Sequence, residues 1–139
     1  MLFRSGIFGA LGAWSNGSDT YAFVPARGTR SGCAGSGGIM ALRVEGGASL
    51  ATAWCTASIP NAAPPVVSSN GNNDAILWAV GTNTAGGTAS LRAYEVATGM
   101  EIYANAEPPT SARQWVPPVV ADGRVYVTGA SSIALYRAR

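Results

Sequence analysis

Short apolar runs separated by turn residues follow one another along this chain, alternation with polar residues stands out in one of them, and no segment sustains a helical period. The clearest run is Ser90 to Tyr103, SLRAYEVATGMEIY. Leu91, Ala93 and Val96 are expected to point one way, with Arg92, Tyr94 and Glu95 between them. Ala97-Thr98-Gly99 then breaks the strand, and Met100 to Tyr103 resumes it. This pattern predicts a β-hairpin. The threonine hydroxyl can bond a nearby backbone N–H across the turn, and the glycine supplies the positive φ that closes a short loop.

The same order of elements occurs three times. Ala10 to Gly17, Pro64 to Gly71 and Pro117 to Gly123 each read as a short apolar strand running into an Asn-Gly or Asp-Gly turn. A second strand follows each turn, over Thr20–Val24, Ala75–Val80 and Arg124–Val127, rich in the β-branched and aromatic residues of buried strands. After a glycine-bearing loop comes a third strand, over Ile39–Val44, Leu91–Val96 and Ile133–Arg137. Ser49 to Trp54 and Met100 to Tyr103 give the first two units a fourth strand. The repeat length of roughly fifty residues suits a four-stranded propeller blade. Proline pairs before Val66 and Val119 suit the entry to a strand, not its middle. The expected fold is all-β: a partial β-propeller with a four-stranded blade over residues 6–57, another over 62–106 and an incomplete third over 115–139.

The hairpin that opens this reading also resembles a known family. Ala93-x-Glu95-x-x-Thr98-Gly99-x-x-x-Tyr103 is similar to the repeat motif of PQQ-like β-propellers, with Glu for the usual Asp and Tyr for the usual Trp. Trp54 takes the anchoring place in the first unit, whereas Arg43 and Arg137 stand where the acidic residue of the motif would be. The resemblance implies that the motif is structural, its aromatic residue docking on the neighbouring blade. It further implies that the chain is the C-terminal part of a longer propeller whose remaining blades are its first partners. Met1 to Ser5 resembles a translated sequencing adaptor and is expected to be a non-native remnant.

Composition narrows the chemistry. The 139 residues contain no histidine, which excludes Ser-His-Asp, Cys-His and His-zinc arrangements. A net charge of +2, spread over scattered arginines, gives no basic stripe for nucleic acid. No apolar run is long enough for a membrane helix. The carboxylates fall mostly in expected turns or at strand ends. Asp74, after Asn70-Gly71-Asn72-Asn73, lacks the alternating ligands of a calcium loop.

Cys33, in the Gly28–Gly38 loop, and Cys55, at the end of a strand folding back beside it, are candidates for a disulfide. A hairpin centred near Gly46-Gly47 would set Ile39 opposite Cys55. The alternative is two free or buried thiols. A disulfide would place the protein in an oxidising compartment, periplasmic or extracellular. The four tryptophans, at 14, 54, 78 and 115, are expected to pack between blades.

In the quinoprotein dehydrogenases of the resembled family, PQQ lies between a tryptophan and a disulfide of adjacent cysteines, beside a bound calcium. Cys33 and Cys55 are far apart in sequence, so no catalytic, cofactor or metal residue carries over, and PQQ and calcium would belong to the full-length protein. Two functions follow: a non-catalytic module that presents loops to a protein or small-molecule ligand, and a fragment of a PQQ-dependent alcohol or sugar dehydrogenase. The missing cofactor residues favour the first.

Overall fold

The computed structural model describes residues 7, 9–29, 32–46, 49–82, 90–105 and 115–137. Met1 to Ser5, Gly47 and the 106–114 segment lie outside the described residues. Eleven strands make three antiparallel sheets. The first holds β1 (Gly12–Ser15), β2 (Thr20–Thr29), β3 (Ser36–Glu45) and β4 (Ser49–Cys55). The second holds β5 (Val66–Asn70), β6 (Asn73–Gly81), β7 (Ser90–Glu95) and β8 (Glu101–Asn105). The third holds β9 (Val119–Ala121), β10 (Arg124–Thr128) and β11 (Ile133–Arg137). Strands in every sheet lie side by side in chain order, and none of the sheets closes on itself. The expected class is the observed one: all-β, two four-stranded antiparallel sheets and a three-stranded one, in a partial propeller-like arrangement.

The first strands of the sheets adjoin one another, β1 beside β5 and β5 beside β9. Prolines precede β5 and β9, where a missing N–H costs no ladder bond. The turns obey their residues. Asp122 and Gly123 both hold positive φ, 50° and 66°, as a two-residue hairpin requires. In the first turn, Asn16 Oδ1 instead accepts from the Ser18 and Asp19 amides, at 2.9 and 2.6 Å.

The core lies between the sheets. Tyr21, Phe23, Ile39 and Ala41 of the first sheet meet Ala75, Leu77, Ala79, Tyr94 and Val96 of the second. Trp78, Val80, Leu91 and Ala93, on the other face of the second sheet, meet Val125 and Val127 of the third. Burying a side chain such as Phe23, Leu77 or Leu91 contributes roughly 1.5–3 kcal/mol. The connection from β4 to β5 tucks Ile59 into the first interface and runs close beneath the start of β3. A Cβ on Gly38, which is at φ +94°, would stand 2.6 Å from the Ala57 carbonyl, so only glycine fits.

Two expectations are corrected. Val96 does not share a face with Leu91 and Ala93. It points with Tyr94 towards the first sheet, because β6 and β7 are buried on both faces and the chain there carries apolar residues in both directions. Met40, not Ile39, lies opposite Cys55, because an irregularity between Ala41 and Leu42 sets Trp54 and Thr52 against consecutive residues and advances the register by one.

The two outermost faces differ. On the first sheet, Val24, Met40 and Leu42 are buried, with Cys33 and Cys55 packed on them. On the third, Val119, Tyr126 and Leu135 sit side by side across the strands, and Val119 and Leu135 are 57% and 56% exposed.

Candidate functional site

The motif residues fold as one hairpin. Ala93 pairs with Tyr103 across β7 and β8. At the turn, the Gly99 amide donates to the Glu95 carbonyl at 2.8 Å and the Glu95 amide to the Met100 carbonyl at 2.9 Å. The Thr98 hydroxyl accepts from the Met100 amide at 3.2 Å and donates to the Glu95 carboxylate, while Gly99 takes φ +74°. The acidic residue, threonine and glycine thus hold the turn rather than line a reaction centre.

That turn is where the first sheet docks. Trp54 reaches across from β4, and its Nε1–H donates to the Val96 carbonyl at 2.8 Å. The indole lies so close over the turn that a Cβ on Gly99 would stand 2.5 Å from its Cδ2. Trp54 also joins a chain of rings that runs Trp14, Tyr21, Phe23, Trp54, Tyr94, with successive centroids 5.9 to 6.3 Å apart.

The second interface repeats the frame with different side chains. In the first sheet, Phe23, Ala41 and Trp54 form one cross-strand row, and Trp14 pairs with Tyr21. In the second, Trp78, Ala93 and Tyr103 form the matching row, and Ser68 pairs with Ile76. Ser68 and Ile76 therefore replace Trp14 and Tyr21, and the space those rings fill is left open. A cavity of about 520 Å³ lies there, with Ile76, Trp78 and Ala93 as its floor, Ile102 and Tyr103 on one wall, and Tyr136 and Arg137 on the other. Trp78 Nε1–H donates to Ser68 Oγ at 2.9 Å. Burial holds the Tyr136 phenol above its ordinary pKa, and the neighbouring Tyr103 adds to the effect. Beyond Ile76 a second, more open cavity of about 440 Å³ is lined by Ser68, Asn70, Asp74 and Asp122 among others.

The cysteines do pair: Cys33 and Cys55 form a disulfide, with Cα atoms 5.8 Å apart. It lies on the outer face of the first sheet, away from the motif. Three of the four tryptophans pack between sheets as expected. Trp115 does not. It stands 43% exposed at φ +77°, with the Arg27 guanidinium 5.7 Å from its ring, because it precedes the third sheet rather than lying on a strand.

A cluster that sequence reasoning missed is Arg92, Tyr94 and Glu101. Glu101 Oε2 accepts from Arg92 Nη1 at 2.9 Å and from the Tyr94 hydroxyl at 3.0 Å. Burial pushes the Tyr94 phenol up to about 12, with Arg92 opposing and Glu101 reinforcing the shift. Tyr94 is 2% exposed inside the first interface, so its phenol ties strands together, while Arg92 and Glu101 keep part of their surface in solvent. The signal was in the register: Tyr94 faces Glu101 across the irregularity that follows Ala93.

Among the described residues, no three of the His, Cys, Asp and Glu side chains come close enough to hold a metal ion, and the disulfide joins cysteines 22 residues apart rather than neighbours. The described residues therefore do not fit the arrangement that PQQ and calcium would need. No helix among them is long and apolar enough to cross a membrane. Comparison with family models, with curated proteins and with solved structures finds no match.

Proposed function

We propose that the chain is part of an exported PQQ-like propeller repeat protein and works as a non-catalytic binding or scaffold module. The observation that carries this reading is the seat of Trp54 on the Gly99 turn, its Nε1–H on the Val96 carbonyl. This is the use of the motif that the resemblance implies: one sheet's anchor clasps the next sheet's turn. The Cys33–Cys55 disulfide favours export, since cytosolic thiols are normally kept reduced. The motif hairpin spends its polar groups on its own turn, which supports a mechanical role over a chemical one.

The experiment is to recover the gene upstream of Gly6 and to assay the encoded protein with PQQ, calcium and an alcohol or sugar, following dye reduction. Further units of roughly fifty residues and no turnover are expected. An upstream sequence without such units overturns the repeat reading, and dependable PQQ-dependent turnover overturns the non-catalytic one.

A further inference from the structure

The three sheets stack by one rule. Phe23 and Ala41 on the forward face of the first sheet meet Leu77 and Tyr94 on the rear face of the second, and Trp78 and Ala93 on its forward face meet Val125 and Tyr136 of the third. In the same register, the rear face of the first sheet carries Ala22, Val24, Met40 and Leu42. The forward face of the third carries Val119, Tyr126 and Leu135. Only the latter is open. Val119 and Leu135 are more than half exposed, whereas Val24, Met40 and Leu42 are at most 3% exposed, with Cys33 and Cys55 packed on them. The Cys33 loop thus stands where a neighbouring sheet would stand. The side chains from Gly32 to Gly35 give it little grip: Ala34 is exposed and the two glycines have none, so Cys33 alone of these four lays a side chain on the face, tethered by its bond to Cys55. Both cysteines keep part of their surface in solvent.

We propose that the Cys33–Cys55 disulfide is a redox gate on a docking face: a dithiol opens it, and the uncovered Val24, Met40 and Leu42 receive the Val119, Tyr126 and Leu135 face of a second copy of this chain. In the opening step a thiolate of the dithiol attacks one cysteine sulfur and the S–S bond breaks. The second thiol of the reagent then resolves the mixed disulfide, so that Cys33 and Cys55 gain two electrons and two protons while the dithiol is oxidised to a disulfide. The freed loop is glycine-rich, with Gly32 and Gly35 at φ +79° and +76°, and ordering it over the face without the bond costs backbone entropy. The occupant follows from continuity with the two interfaces already formed, since each sets a forward face on a rear face. Every copy carries one uncovered forward face, on its third sheet, and one gated rear face, on its first. Their contact joins unlike surfaces, so it builds a chain of copies rather than a closed pair.

The proposal stands on the stacking of the sheets and not on the repeat family, so its failure leaves the function proposed above intact. The test is sedimentation velocity of the full 139-residue chain over a range of concentrations, oxidised and with dithiothreitol, with circular dichroism recorded in parallel. The reduced chain should keep the spectrum of the oxidised one, associate at least about tenfold more tightly and grow past a dimer as concentration rises. The double variant Cys33→Ser, Cys55→Ser should behave like the reduced chain with no reductant present. Leu135→Arg, at a side chain 56% exposed, should leave the fold unchanged and return the reduced chain to the behaviour of the oxidised one. Equal association of the two redox forms overturns the proposal, as does loss of the native spectrum on reduction. So does growth that stops at a dimer, or association of the reduced chain that Leu135→Arg does not weaken.

Discussion

Replacing Gly99 with alanine tests the clasp between the first two sheets. Gly99 holds φ +74°, where an L side chain costs about 1–2 kcal/mol, and the new Cβ would lie 2.5 Å from Cδ2 of Trp54. The indole cannot retreat freely, because its Nε1–H is held by the Val96 carbonyl and its ring lies between Phe23 and Tyr94. Relieving that overlap costs roughly another 1–3 kcal/mol, so Gly99→Ala should destabilise by roughly 2–5 kcal/mol. Trp54→Leu, which loses the hydrogen bond and part of the ring burial, should cost about 2–4 kcal/mol by itself. In the Trp54→Leu background the steric part vanishes and only the backbone part remains. A double-mutant cycle, read by denaturant unfolding at one fixed protein concentration, should therefore give a coupling of about 1–3 kcal/mol. If Gly99→Ala costs the same in both backgrounds to within about 0.5 kcal/mol, the indole does not sit on the turn and the clasp is refuted.

Other outcomes follow from the same structure. The Cys33–Cys55 bridge closes a loop of 22 residues, so Cys33→Ser should lower stability by about 3 kcal/mol, and a denaturant midpoint unchanged by the substitution would show that the bridge does not form. Tyr94 has its phenol raised from 10.0 to about 12 chiefly by burial, which favours the neutral form in the folded state. The stability it lends is thus fully present below pH 10.0 and lost as pH climbs towards about 12; Tyr94→Phe should flatten that decline, and an identical alkaline fall in both proteins would refute the assignment.

Much of the architecture was legible because it is written locally. Short runs of apolar, β-branched and aromatic residues mark the strands, and Asn-Gly, Asp-Gly and Thr-Gly mark reversals whatever the rest of the chain does. The docking of Trp54 was legible too, through its position relative to a recognisable turn. What is not legible depends on pairs of distant residues. The shift that sets Met40 opposite Cys55 arises from an irregularity without proline or glycine to announce it. Val96 falls on the other side from Leu91 and Ala93, which the apolar pattern does not reveal, because alternation shows polarity only where one face meets water, and β6 and β7 carry buried residues on both faces. The cavity has no signature in any single stretch, since it arises from Ser68 and Ile76 standing where Trp14 and Tyr21 stand one unit earlier, a comparison that requires the register.

The second sheet is a keystone. Leu77, Ala79, Tyr94 and Val96 lean on one neighbour, while Trp78, Val80, Leu91 and Ala93 lean on the other. It cannot breathe alone, because parting its strands tears two interfaces at once. The outer sheets each surrender only one. Amide hydrogen exchange should accordingly be slowest at β6 and β7 and faster at the flanks. Load passed from one flank to the other crosses the second sheet, through β5 as well as β6 and β7, which makes the middle of this chain its conduit as well as its anchor.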